Sequence, residues 1–231
     1  MPKSLGKSIG QSTGRRLVIS DIHGCYDTLN ALLQSLAIQK TDQVFFLGDY
    51  INKGPRSKTT LDLILELNSL PNYFALLGNH DDLLLDYLEN PTSEVHQKLL
   101  ELGNNDFFGL TNSEKEFYIN KLSKLSCFLD LGEFLLVHAG FNFSLTNPFG
   151  SKADMITIRE FDYDANQSGN KTIVHGHYPK EKVIIEKAIA NREKVIPLDN
   201  GCVYARIREN MGELLCLDLD SMKLYSQQNI D

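Results

Sequence analysis

Arg16-Leu17-Val18-Ile19-Ser20-Asp21-Ile22-His23-Gly24 is the stretch that decides the fold. Its apolar half, with β-branched Val18 and Ile19, reads as a buried strand. The strand stops at a carboxylate, a histidine and a glycine, and Leu29, Leu32, Leu33 and Leu36 follow at helical spacing. The same unit recurs twice. Val44-Phe45-Phe46-Leu47 runs into Gly48-Asp49-Tyr50, and the stripe Leu61, Ile64, Leu65 follows. Tyr73 to Leu77 runs into Gly78-Asn79-His80-Asp81, and Leu83, Leu84, Tyr87 and Leu88 follow. This strand–helix alternation predicts parallel strands with crossover helices.

Working outward, a mostly helical stretch covers about 93–125, and its Phe107, Phe108, Phe117 and Tyr118 sit among leucines at helical spacing, as core residues do. Further strands are predicted at Phe134–Val137, Thr172–Val174, Val195–Leu198, Val203–Ile207, Leu214–Leu219 and Lys223–Ser226, joined by Gly, Asn and Asp turns in an antiparallel arrangement. The reading is one α/β domain with two sheets over 15–231. The segment 1–14, rich in Ser, Gly and Lys and without an apolar h-region, is expected to be a flexible leader rather than a secretory signal.

With 23 Lys+Arg against 30 Asp+Glu, the net charge is −7, which excludes a broad basic nucleic-acid or membrane-surface binder. No run approaches the roughly 18 apolar residues of a membrane span. Cys25, Cys127, Cys202 and Cys216 form no CxxC pair, so a zinc ribbon or disulfide scaffold is unsupported, and scattered thiols favour the cytoplasm. Cys25 reads as packing at a helix N-terminus or as a redox-sensitive thiol.

Two later strands end in the same way, in His138-Ala139-Gly140 and His175-Gly176-His177, so five of the six histidines lie at strand tips and only His96 does not. Ligand sites in α/β sheets lie outside the carboxyl ends of strands. Imidazole and carboxylate ligands with one amide suit Mn, Fe or Zn. So many ligands exceed what one tetrahedral zinc needs, and two ions sharing a carboxylate at roughly 3.5–4 Å fit better.

In order, Ser20-Asp21-Ile22-His23-Gly24, Gly48-Asp49-Tyr50-Ile51-Asn52-Lys53-Gly54, Gly78-Asn79-His80-Asp81, His138-Ala139-Gly140 and Gly176-His177 resemble the motifs of the calcineurin-like metallophosphoesterases. The resemblance is to their serine/threonine phosphoprotein-phosphatase branch, small bacterial or phage type. The closing Leu198-Asp199-Asn200-Gly201 fits as well, and the similarity runs from about Arg16 to Tyr225. It implies two packed mixed β-sheets flanked by helices, a four-layer sandwich. It also implies two divalent ions, Mn or an Fe/Zn pair, with Asp21 and His23 on the first, Asp49 bridging, and Asn79, His138 and His177 on the second. His175 would stand behind the ligands. The implied reaction is direct attack of a metal-bridging hydroxide on phosphorus, with His80 as the acid that protonates the leaving oxygen.

Three positions depart from the family pattern. Asn52 replaces an aspartate that supports the acid histidine, and an amide brings no charge. Lys53 replaces a phosphate-gripping arginine, keeping charge but losing the bidentate fork. Leu77 stands where an arginine is frequent. Arg159 fits a downstream phosphate-binding arginine, and Arg56 is either a further source of positive potential or a solvated charge. The expected substrate is a phosphomonoester, a phosphorylated protein or a small phosphoester, with no nucleic acid or membrane partner. The alternatives are symmetrical cleavage of a dinucleoside polyphosphate, or a weakly active metal-binding regulatory module.

Overall fold

The computed structural model describes residues 5–10 and 13–231. Its first sheet-forming unit is β2 (Arg16–Ile19), α1 (Tyr26–Ser35), β3 (Gln43–Phe46), α2 (Ser57–Leu67), β4 (Tyr73–Ala75) and α3 (Asn79–Glu89). The three strands are parallel, with Leu17 opposite Val44 and Val44 opposite Tyr73. Two antiparallel strands, β9 (Glu213–Asp218) and β10 (Lys223–Gln228), complete the sheet in the order β10-β9-β2-β3-β4. A second sheet is built, in spatial order, from β1 (Gly6–Ser8), β5 (Phe128–Asp130), β6 (Phe134–Val137), β7 (Thr172–His175) and β8 (Val195–Pro197).

Side-chain alternation explains why these strands read as unbroken apolar runs. Leu17, Ile19, Val44 and Phe46 face one core, under α1, α2, α3 and α5 (Asn112–Leu122). Val18, Phe45 and Leu47 face the opposite way, against Leu136, Val174 and Ile196 of the other sheet. Leu135, Val137 and Ile173 cover a third core with Phe141 and with Met155 of α6 (Lys152–Thr157). A strand buried on both faces has no polar side to show. The result is the expected pair of mixed sheets flanked by helices.

Four expectations need correction. Gly6–Ser8, read as part of a flexible leader, pairs in parallel with β5, Gly6 opposite Phe128; the positions 1–4 and 11–12 of that leader lie outside the described residues. The later strands β6, β7 and β8 run parallel, not antiparallel, with the passed-over helix α7 (Lys182–Ala190) as crossover. The β-branched run Val183-Ile184-Ile185 obscured that helix, which buries Ile185 and Ile189 in the core between the sheets. Val203–Ile207 is no strand: Cys202–Tyr204 forms a 3₁₀ turn. Gly201 enters it at φ 66°, and the Asn200 side chain ties together the Lys180 and Asn210 carbonyls and the Glu213 N–H. Finally, the insert holds α4 (Ser93–Glu101) and α5, and Phe107 and Tyr118 are core, but Phe117 is exposed and Phe108 stacks on His96 at 4.2 Å.

No helix among the described residues is long and apolar enough to cross a membrane. Cys25 caps α1 and is fully buried in the helical core, which is the packing role.

Candidate metal centre

The carboxyl ends of β2, β3, β6 and β7 and the start of α3 converge at one sheet edge. To aim their side chains inward, His23, Asp49, Asn52, Lys53 and His177 adopt positive φ between 49° and 71°. Non-glycine residues in this region carry strain that the surrounding fold must hold. Here the Asp49 carbonyl accepts the N–H groups of Ile22 and His23, and the Asp81 carboxylate accepts those of Asp49, Tyr50 and Gly78 at 2.8–3.1 Å. Burial pushes the Asp81 carboxyl up to about 8, opposed by those three N–H groups.

Two groups of ligand atoms share Asp49: His23, Asp49 and His80 in one, and Asp49, His138 and His177 in the other, each within 4.8 Å. Asn79 joins the second, its Oδ1 3.0 Å from His138 Nε2 and 2.9 Å from His177 Nδ1. Asp21 stands beside them, one carboxylate oxygen accepting the His177 N–H at 2.9 Å. Its other oxygen, Oδ1, is buried without a hydrogen-bond partner among the described residues. Gly176 leaves room for it, since a Cβ there would lie 1.9 Å from that oxygen.

The tautomers show that these residues fit divalent cations. His23 Nδ1–H donates to the Ile51 carbonyl at 3.0 Å and His138 Nδ1–H to the Leu47 carbonyl at 2.9 Å. Burial holds both rings below the ordinary imidazole range, hence neutral. Each therefore presents an unprotonated Nε2, 3.6 Å and 3.4 Å from Asp49 oxygens; that of His23 takes the Lys53 ammonium at 3.0 Å, while that of His138 faces only acceptors, Asp49 and the Asn79 Oδ1 at 3.0 Å. Acceptors facing acceptors inside a protein call for a cation between them. Burial, together with the Asp199 and Asp49 charges, likewise raises the Asp21 carboxyl well above its usual range, and a cation would reverse that cost.

His80 is not bound like the others. The Asn52 Nδ2–H group donates to its Nδ1 at 2.8 Å, and its Nε2 is 3.8 Å from Asp49. Burial lowers His80 to about 4, against the Asp49 charge. Behind Asn52 stands Asn104, from the turn after α4, whose Nδ2–H donates to Asn52 Oδ1 at 2.6 Å. Lys53 Nζ reaches His23 Nε2 at 3.0 Å. Arg159 is exposed, with its guanidinium 5.8 Å from the Tyr178 ring and its charge felt by His177. Arg56 instead pairs with Asp27 on the surface. His175 is buried behind the site, its Nδ1–H on the Gly176 carbonyl. A cavity of about 470 Å³ opens beside Asn79 and His80 and is walled by Asp82, Asp86, Lys98 and Lys152.

The residues singled out in the sequence, Asp21, His23, Asp49, Asn52, Lys53, Asn79, His80, His138 and His177, thus meet at one sheet edge. Sequence reading missed the work of Asp81 and Asp199, although both stood inside quoted motifs. Burial raises Asp199 to about 7, and it accepts the Gly201 N–H at 2.7 Å. It also missed Asn104, whose Gly103-Asn104-Asn105-Asp106 setting reads only as a turn.

Two mixed sheets with a His/Asp/Asn cluster at their strand ends define a metallophosphoesterase. The chain belongs to the calcineurin-like phosphoesterase family, whose model matches residues 14–216. It is similar to an asymmetrical bis(5'-nucleosyl)-tetraphosphatase of Bacillus velezensis, 27% identical over 81% of this chain and 84% of the relative. It is also similar to serine/threonine-protein phosphatase 2 of Escherichia coli, 28% identical over 86% and 75%. Among solved structures, one titled a putative diadenosine tetraphosphatase superposes with a TM-score of 0.69 at 22% identity, covering 98% of both chains.

Proposed function

We propose that this protein is a metal-dependent hydrolase of phosphorus–oxygen bonds that acts on phosphoric anhydrides, dinucleoside polyphosphates among them, ahead of serine or threonine phosphomonoesters. The observation that carries the metal dependence is the unprotonated His138 Nε2 set against two further acceptors, the shared Asp49 carboxylate and the Asn79 Oδ1. Asp21, His23 and Asp49 would hold one divalent ion, and Asp49, Asn79, His138 and His177 the other, with manganese as the first choice. When bound, such ions polarise phosphoryl oxygens and neutralise charge that develops in an in-line displacement.

The chain's own residues orient the substrate. Lys53 and Arg159 supply point charges at the edge of the cluster. His80 lines the cavity into which a leaving group would extend. Lys98 on α4 lies close enough for its charge to act on His80, and it would meet an anionic leaving phosphate there. The cavity is of ligand size, about 470 Å³. Similarity to the Bacillus tetraphosphatase over four-fifths of the chain supports the anhydride reading. Similarity to the Escherichia coli phosphatase over 86% of the chain favours the second reading, a phosphoprotein monoesterase.

The test is turnover of diadenosine tetraphosphate against a phosphoserine peptide by manganese-loaded protein, with elemental analysis of the loaded sample. Faster turnover of the tetraphosphate is expected. Faster turnover of the peptide selects the monoesterase, and no turnover of either with two metals bound selects a metal-binding regulatory module.

A further inference from the structure

We infer that Asn104 is a positioning residue that works through Asn52: it fixes His80 with the ring proton on Nε2, and so makes the enzyme grade its substrates by leaving-group acidity. The inference rests on the hydrolytic reading of the site and adds to it the rule by which substrates are chosen.

The direction of the relay is set by a group that cannot reverse. The backbone N–H of Asp106 can only donate, and it donates to Asn104 Oδ1 at 3.2 Å. The Asn104 amide is therefore turned with Nδ2 toward Asn52, donating to Oδ1 at 2.6 Å. Asn52 in turn has only its Nδ2–H group left for His80, donating to Nδ1 at 2.8 Å. A ring nitrogen that accepts carries no proton, so the ring proton of His80 sits on Nε2. Asn52 is fully buried and Asn104 is 2% exposed, so bulk water does not compete for these bonds. The backbone around them is pinned as well. Ser57 Oγ accepts the Asn52 N–H, and the Leu102 carbonyl, also from the insert, accepts the Lys53 N–H.

An aspartate at position 52 would do the opposite. Its two oxygens would accept from Asn104 and from a proton on His80 Nδ1, adding a charge that favours the doubly protonated ring, whose Nε2 proton can be given to a leaving oxygen. With Asn52, the Nε2–H group offers a hydrogen bond without that support. In the reaction, water oxygen bonds to phosphorus and the bond to the leaving oxygen breaks. Its electron pair departs on that oxygen, and the proton lost by water passes to solvent. A phosphate leaving from an anhydride is stable as an anion at that point, whereas the alkoxide of serine or threonine needs a proton.

The relay is testable because one substitution should reverse it. In Asn104→Asp, one oxygen of the new carboxylate keeps the Asp106 N–H and the other can only accept. Asn52 then turns its Nδ2 to that carboxylate and its Oδ1 to His80. Long-range proton–nitrogen correlation spectra of metal-free, nitrogen-15-labelled protein at constant pH read the tautomer directly. Wild type should show protonated Nε2 and bare Nδ1 on His80, and both Asn104→Asp and Asn52→Asp should move the proton to Nδ1. A wild-type ring protonated on Nδ1, or a pattern unchanged in both variants, overturns the inference. The second measurement uses manganese-loaded protein and aryl phosphates of graded leaving-group acidity alongside phosphoserine. The rate on poor leaving groups relative to good ones should rise about tenfold or more in Asn52→Asp, whose carboxylate supports a doubly protonated ring, and should fall in Asn104→Asp, whose neutral ring leaves Nε2 bare. An unchanged ratio in both active variants also overturns the inference. Failure of loaded wild type to hydrolyse any phosphate compound overturns the hydrolytic reading instead, and the tautomer measurement still decides the relay.

Discussion

Asp49 is the residue on which both halves of the centre depend, because its two oxygens face His23, His80 and His138 at 3.4–3.8 Å. Asp49→Asn should reduce manganese affinity by about 100-fold or more at both positions and abolish turnover, measured by calorimetric titration and by phosphate release. Gly176 matters for the space it leaves. Gly176→Ala would press a Cβ to 1.9 Å from Asp21 Oδ1, and about a 10- to 100-fold weaker metal affinity is expected with the fold retained, as read by circular dichroism. His175 supplies a pH test outside the ligand set. Burial lowers it to about 4, whereas in an unfolded chain it titrates near 6.5. The unfolded state then binds the proton first, so stability is lost as pH falls from about 6.5 to about 4. His175→Asn should flatten the fall of Tm with pH across that window, and an equal slope in both proteins would contradict the assignment. The clustered residues themselves were legible one by one, because each stood in a glycine-containing motif at a strand end. Their left-handed backbones were not, since Asp49, Asn52 and Lys53 have no local reason to take positive φ.

At the scale of elements, the three parallel strand–helix units were legible because a strand buried on both faces and a helix with one apolar stripe have different periods. The crossover helix α7 was obscured because Val183, Ile184 and Ile185 favour strands and two of the three are exposed. The short β1 could not be read from Gly6-Lys7-Ser8, since its only reason to be a strand is the free edge of β5. The insert that carries Asn104 depends on its own caps. Thr111 and Glu114 form a reciprocal capping box at the start of α5. Thr111→Ala should cost about 1 kcal/mol in urea unfolding. Because Tyr118 of the same helix is core, that loss should appear in global stability rather than as local fraying.

For the whole molecule, metal binding and stability should be linked, because the buried acids and facing acceptors of the centre oppose folding until a cation joins them. Manganese at 100 times its Kd should stabilise the protein by about 2.7 kcal/mol per site, seen as a rise in Tm that a chelator reverses. A Tm indifferent to both would contradict the centre. The sequence by itself determined the α/β class, the parallel half of the first sheet and which residue types stand at the strand ends. Those follow from short-range facts, namely apolar period, turn residues and the chemistry of imidazole and carboxylate. Only the tertiary structure decided that Asp21 Oδ1 is left without a partner among the described residues and that Asn104 reaches Asn52 across 52 positions of chain. Contacts between strands of two sheets, and between an insert and a strand-end loop, have no sequence period. They exist only because packing both faces of both sheets brings those ends to one edge.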